Sequence, residues 1–294
     1  SLSSRLDVLW KQLPEFPDID GYTLFKRGDF EIKIARVTKD STKQKTNFEA
    51  ARKYYKAARP WMKQSLDRLE AAFLELKDKK KSADAAKAPK TGVKKPVITV
   101  RRKPTDEETE LAEAEGAWIE ARMNFALADY YESLTYTDTA AKERKDLLNA
   151  AIKKFDDIYQ GYRDGRAGIY AHMMHGKCLD DMGDIRGAID LYDEVLSRAS
   201  GAKTGESQLE GLFVQVEMYR LLLLRKQNKH KEFATDADAW LKQHAKMSKQ
   251  EGYQGIALEL TKYQIEQSKD LTAKAREDAF RKINKQLTDI TKVR

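Results

Sequence analysis

Apolar side chains recur at steps of three and four residues along most of this 294-residue chain, and that spacing is typical of one buried face of an α-helix. The pattern is clearest over residues 47–76, which it predicts to be one long helix, kinked at Pro60. A second long helix is predicted over 106–134, because Thr105 and Glu108 have the spacing of a capping box before an apolar stripe.

Shorter helices are predicted on either side of this pair. At the amino-terminal end, residues 2–13 place four leucines and Trp10 on one face. Residues 22–37 are ambiguous, because the apolar positions around Gly28 fit either a pair of strands or two short helices. Towards the carboxyl end, seven helices with short connections are predicted over 141–162, 168–182, 185–199, 207–226, 229–245, 252–268 and 271–290. Such a string of helices is typical of an α-solenoid.

The most detailed pattern lies in residues 169–200. Gly183 can adopt the positive φ that a sharp turn between two helices needs, and Asp184 can cap the helix that follows. This segment resembles the tetratricopeptide repeat, a helix–turn–helix unit of about 34 residues. The matching positions are Gly176, Gly183, Asp184, Ala188 and Tyr192.

The resemblance implies a right-handed superhelix of antiparallel helix pairs, similar to the degenerate repeat arrays of large bacterial proteins. It implies that Gly176 lets the paired helices approach closely and that Tyr192 fills the space between them. Weaker copies of the pattern lie at 151–159 and 229–241. A further copy at 27–37, which contains Gly28-Asp29, favours helices with a turn at that pair.

The net charge of +8 comes from one segment. Residues 77–104 hold eleven Lys or Arg against two Asp, together with three prolines, so we predict a basic flexible loop between 1–76 and the helical array 105–294. A solvated linker is the simpler interpretation. The alternative is an anion-binding loop whose cations contact nucleic acid or another anionic surface; these are Lys79, Lys80, Lys81, Lys94, Lys95, Arg101, Arg102 and Lys103.

Little in the sequence indicates catalysis, a metal or a cofactor. His172 and His175 lie one helical turn apart, but two histidines supply only half of a closed zinc site. Cys178 is the single cysteine, so no intrachain disulfide can form. Phosphate-binding loops and metalloprotease motifs are absent, and the adjacent carboxylates Asp180-Asp181 and Asp193-Glu194 are interpreted as solvated helix faces.

The longest apolar run, Leu221–Leu224, is far too short to cross a bilayer. No signal peptide is visible, but the chain begins without Met. A cytoplasmic location and export after removal of a leader therefore both stay open.

These features favour a non-enzymatic scaffold, adaptor or structural subunit of a larger assembly. The tetratricopeptide resemblance implies that its concave face binds protein partners, and self-association is also expected. The alternatives are binding of nucleic acid or an anionic surface through 77–104, and a non-catalytic region of a longer enzyme. The candidate partner-binding residues lie mainly on the first helices of the repeats: Arg122, Asn124, Tyr131, His172, His175, Lys177 and Gln215.

Overall fold

The computed structural model describes residues 17–87, 103–199, 207–269 and 272–291. Within these ranges the regular secondary structure is ten α-helices and one short 3₁₀ turn, with no strand. The predicted all-α class is therefore confirmed for the described residues, while the predicted helix 2–13 lies outside them. The helices are α1 (Pro17–Val37), α2 (Ser41–Lys87), α3 (Asp106–Ser133), α4 (Lys142–Gly161), α5 (Arg166–Met182), α6 (Ile185–Ala199), α7 (Ser207–Lys226), α8 (His230–Gln243), α9 (Glu251–Ser268) and α10 (Ala273–Thr291).

From residue 106 onwards, every observed helix begins and ends within two residues of its predicted bounds. The predicted capping box is present at the start of α3. The Thr105 hydroxyl accepts a hydrogen bond from the backbone N–H of Glu108 at 3.2 Å, and the Thr105 N–H donates to the Glu108 carboxylate at 3.0 Å. Two backbone donors that the first turn would otherwise leave unpaired are satisfied in this way.

The predicted turn at Gly28-Asp29 is wrong, because α1 is one continuous helix through both residues. Gly28 has a different role. A Cβ atom at this position would lie 2.8 Å from the ring of Tyr55, so the glycine lets α1 approach α2 without a side chain between them. The spacing that suggested a turn therefore marks a close helix–helix contact.

The predicted basic loop is wrong for residues 77–87. Helix α2 passes through Pro60 and continues to Lys87, so residues 77–87 are helical rather than part of a loop. Lysine and alanine dominate this stretch and are good helix formers, and Lys79 pairs with Glu75 one turn earlier at 2.7 Å. The rest of the predicted loop, residues 88–102, lies outside the described residues.

The chain divides into two compact units, residues 1–154 and 155–294, with the boundary inside α4. In the first unit, α2 packs against both α1 and α3. Its core is lined mainly by aromatic and small side chains from these helices. They include Phe25, Ile32, Ala35, Ala51, Tyr55, Ala58, Phe73 and Ala128.

In the second unit, α5 and α6 form a hairpin whose turn agrees with the prediction. Gly183 has φ of 88°, and the N–H of Asp184 donates to the Leu179 carbonyl at 2.9 Å, which closes the end of α5. The Asp184 carboxylate accepts from the N–H of Gly187 at 2.9 Å and so caps α6. At the centre of the hairpin, a Cβ on residue 176 would lie 2.6 Å from the buried ring of Tyr192.

The α7–α8 hairpin repeats this geometry forty-five residues later with a different turn residue. Asn228 has φ of 61°, and the N–H of Lys229 donates to the Leu224 carbonyl at 2.9 Å. Leu221 and Ala237 stand at the positions equivalent to Gly176 and Tyr192 and share one buried cluster. The large side chain is now on the first helix and the small one on the second.

The helices of the second unit pack against their neighbours along the chain and against helices two positions away. Helix α7 packs against α6, α8 and α9, and α9 packs against α8 and α10. The first helix of one hairpin also contacts the first helix of the next, since α5 meets α7 and α7 meets α9. Gly252 permits the second of these approaches, because a Cβ there would lie 2.8 Å from the Val214 carbonyl oxygen.

We expect Gly176→Ala to lower the free energy of unfolding by about 1–2 kcal/mol, because the added methyl group overpacks a buried ring. Gly116→Ala is the matched control, since a Cβ at that helical position meets nothing within 4 Å. It should raise stability by about 0.5–1 kcal/mol through helix propensity alone. Urea unfolding of both variants measures the two changes, and equal stabilisation by both would contradict the close contact at Gly176.

Candidate interaction surface

A polar cleft of about 550 Å³ opens between the amino-terminal turns of α5 and α7 and the start of α9. We call it the α5–α7–α9 cleft. It contains Gln215, one of the residues predicted to bind a partner, and eight others that sequence reasoning missed. Its lining is Arg166, Tyr170, Gly211, Leu212, Gln215, Lys249, Gln250, Glu251 and Gly252.

The cleft has a basic rim, and Gln215 contributes an amide group to its lining. Arg166 and Lys249 are exposed, and neither makes an ion pair with another side chain in the described ranges. Glu251 is the one carboxylate among the lining residues, so the charged side chains sum to one positive charge. Half-buried Gln215 donates to the Tyr219 hydroxyl at 3.1 Å.

His172 is packed inside the second unit instead of being displayed on its surface. Only 4% of the residue is exposed, and its ring stacks on Tyr159 with centroids 3.9 Å apart. Its Nε2–H donates to the Glu194 carboxylate at 3.0 Å. Glu194 was interpreted as part of a solvated helix face, and its side chain is indeed 44% exposed. The same carboxylate also accepts from the Tyr159 hydroxyl at 2.5 Å and pairs with Arg198.

Burial decides the protonation of the two histidines on α5. It lowers the pKa of His172 and outweighs the nearby Glu194, which acts in the opposite direction. Burial also lowers the pKa of His175, and the neighbouring His172 adds to that effect. The Nδ1 atoms of both rings are buried without a hydrogen-bond partner among the described groups, which fits two neutral imidazoles.

Lys177, the third predicted residue on α5, belongs to a cluster that joins α5 to α7. Its ammonium group lies 2.8 Å from Asp180 and 3.6 Å from Asp181, and Lys226 of α7 contacts the same Asp180 carboxylate. Burial would raise the pKa of Asp180, but the two ammonium groups outweigh it and hold that pKa below its usual value. The prediction that Asp180 is solvated is wrong, since only 8% of the residue is exposed.

The three predicted residues of the first unit each have a different local environment. Arg122 lies over the ring of Trp118 at 4.9 Å. Asn124 lines a cavity of about 220 Å³ between α1, α2 and α3, and the Tyr131 ring packs 6.0 Å from that of Phe25.

A buried charge cluster in the first unit was also missed. Arg59 of α2 donates to Asp129 of α3 at 2.9 Å and pairs with Glu132 at 2.5 Å, while Lys154 contacts the other oxygen of Asp129. Burial raises the pKa of Glu132 despite the nearby guanidinium. The sequence could not show this cluster, because its partners are far apart along the chain.

The lysines of the alternative anion-binding hypothesis are divided between described and undescribed residues. Lys79 pairs with Glu75 at 2.7 Å, and Lys80 lies 3.8 Å from Glu108. Lys81 and Lys103 are exposed. The predicted cations Lys94, Lys95, Arg101 and Arg102 lie outside the described residues.

Two further observations concern the described ranges alone. No three His, Cys, Asp or Glu side chains lie close enough together there to hold a metal ion. No helix there combines the length and apolar composition needed to cross a membrane.

Comparison of the chain with protein-family models, with curated proteins and with solved structures found no match.

We expect the stability of the second unit to fall as the pH decreases from about 7 to about 5. A histidine whose pKa is lowered by folding binds its proton more readily in the unfolded chain, so its contribution is present above the unfolded pKa and is lost below it. His172→Gln should flatten this dependence, and His172→Gln/His175→Gln should flatten it further. Urea unfolding across this pH range measures the slopes, and parallel curves for all three proteins would contradict the assignment.

Proposed function

We propose that the chain is a non-enzymatic scaffold of tetratricopeptide-like helical hairpins that binds a segment of a partner protein in the α5–α7–α9 cleft. The observation that carries the proposal is the position of this cleft. It lies where the first helices of three successive hairpins meet, which is the face that the tetratricopeptide resemblance predicts to be concave and ligand-binding.

The lining of the cleft indicates a polar partner segment with acidic side chains. Arg166 and Lys249 provide two cations at the rim, and the aromatic ring of Tyr170 provides an anchor of the type enriched at binding hot spots. Gly211 and Gly252 also line the cleft, so part of its surface is backbone without side chains. His172 and Lys177 are held by their own partners and so belong to the hairpins rather than to the ligand.

Binding of an anionic surface through 77–104 is the weaker candidate. Two of its four described cations, Lys79 and Lys80, already have carboxylates nearby. Neither of the cleft cations, Arg166 and Lys249, makes an ion pair with a carboxylate among the described residues, which is why we assign binding to the cleft.

The experiment begins with a photo-crosslinking amino acid at Tyr170, with the same group at exposed Tyr22 of α1 as the control. A protein that is linked specifically from position 170 is then purified, and its affinity for the unmodified chain is measured. Linking of the same proteins from both positions would count against a specific site in the cleft.

We expect Arg166→Glu/Lys249→Glu to weaken binding of that partner by at least about tenfold, because it reverses the charge of the rim. Lys145→Glu/Lys231→Glu is the matched control, since both lysines are exposed and the change in net charge is the same. Titration calorimetry at one salt concentration compares the variants, and melting temperatures check that both remain folded. An equal loss of affinity in both would show that only net charge matters.

A further inference from the structure

A cavity of about 360 Å³ lies in the first unit, beside the start of α2. One side is formed by residues of α2 between Ser41 and Arg52, and the other by residues 135–138, which connect α3 to α4. Small-molecule sites have volumes of roughly 300–1,000 Å³, so the cavity can hold a small ligand. Phe48 is the one lining residue without a polar side-chain group, and the cavity therefore suits a polar ligand.

Two cations line this cavity without a carboxylate partner. Neither Lys45 nor Arg52 makes an ion pair with another side chain in the described part of the chain. The half-buried guanidinium of Arg52 lies 4.7 Å from the ring centroid of Tyr136, and Arg144 donates to the Tyr136 carbonyl at 3.0 Å. These contacts hold the Arg52 side chain in place before a ligand binds, which reduces the entropy cost of binding.

The other charged and polar groups at this end of α2 have partners of their own. Asp138 is the one carboxylate in the lining, and it accepts from the backbone N–H of Ala140 at 2.8 Å. Asp40 accepts from the backbone N–H groups of Thr42 and Lys43 at the start of α2. An anion in the cavity would therefore be recognised by side chains rather than by the end of the helix.

We propose that this cavity binds a small organic phosphate, with the phosphate monoester group between Lys45 and Arg52. Such a group carries nearly two negative charges at pH 7, which two cations can neutralise, and a planar guanidinium matches two of its oxygens. The hydroxyl groups of Ser41 and Thr137 also line the cavity and can donate to phosphate oxygens. The organic part of the ligand lies against Phe48. The site belongs to the first unit, so it does not depend on the α5–α7–α9 cleft.

The first test is titration calorimetry of the full-length chain with phenyl phosphate as the probe. We expect a Kd of about 1 mM or below. Benzoate and inorganic phosphate should bind at least about fivefold more weakly, because benzoate has a single negative charge and inorganic phosphate has no organic part. Equal affinity for either comparison anion, or no binding of phenyl phosphate at about 10 mM, would overturn the proposal.

Substitutions on α2 test whether the probe binds in this cavity. Lys45→Gln/Arg52→Gln should weaken binding of phenyl phosphate by at least about tenfold, because the charge-assisted hydrogen bonds are lost. Lys43→Gln/Lys53→Gln is the matched control, since both lysines are exposed, neither lines the cavity and the net charge changes equally. An equal loss of affinity in both double variants would overturn the assignment, because it would show that only net charge matters.

A second pair of variants leaves the contact between Arg52 and Tyr136 in place. Thr137→Asp puts a carboxylate on an exposed residue of the lining, whereas Thr139→Asp puts one on an exposed residue outside it. We expect only Thr137→Asp to weaken binding of phenyl phosphate, by at least about fivefold, because its charge repels the phosphate group. Melting temperatures without the probe check that all variants are folded. Equal affinities of the two threonine variants would overturn the proposal.

Discussion

The close approach of paired helices is the constraint on which the rest of the structure depends. Where α1 meets α2, the Tyr55 ring occupies space that any side chain on residue 28 would need, and Tyr192 does the same at Gly176 between α5 and α6. In the α7–α8 hairpin, Leu221 of the first helix and Ala237 of the second belong to one buried cluster. The close contacts at residues 28 and 176 therefore each combine a glycine on one helix with a large ring on the other.

Buried charged side chains hold the paired helices in register with neighbouring helices. Asp180 accepts from lysines of α5 and α7, and Arg59 of α2 holds two carboxylates of α3. A buried carboxylate without a cation would be strongly unfavourable, so a shift of one helix past another is opposed by the loss of such pairs. Apolar packing sets the distance between helices, and the buried ion pairs fix the position of each helix along its own axis.

From residue 106 onwards, the bounds of the helices could be predicted well, because they depend on local chemistry. The capping box at Thr105 and the glycine turn at 183 are short-range signals, and both are present. Asn228 makes an equivalent turn without glycine, so the sequence signal for this turn was weaker. Gly28 carried the right sequence for a turn, but whether a glycine turns the chain or admits a facing ring depends on the partner helix. The Asp180 and Glu194 contacts were missed for the same reason, because their partners lie on other turns or other helices.

Measurement of hydrogen–deuterium exchange, with and without the partner that is crosslinked from Tyr170, tests the assignment of function to the α5–α7–α9 cleft most directly. The account predicts slower exchange on binding in peptides that cover 166–170, 211–215 and 249–252, with little change in α2. Slower exchange confined to 77–87, with the three cleft peptides unchanged, would contradict it and would assign binding to the basic segment.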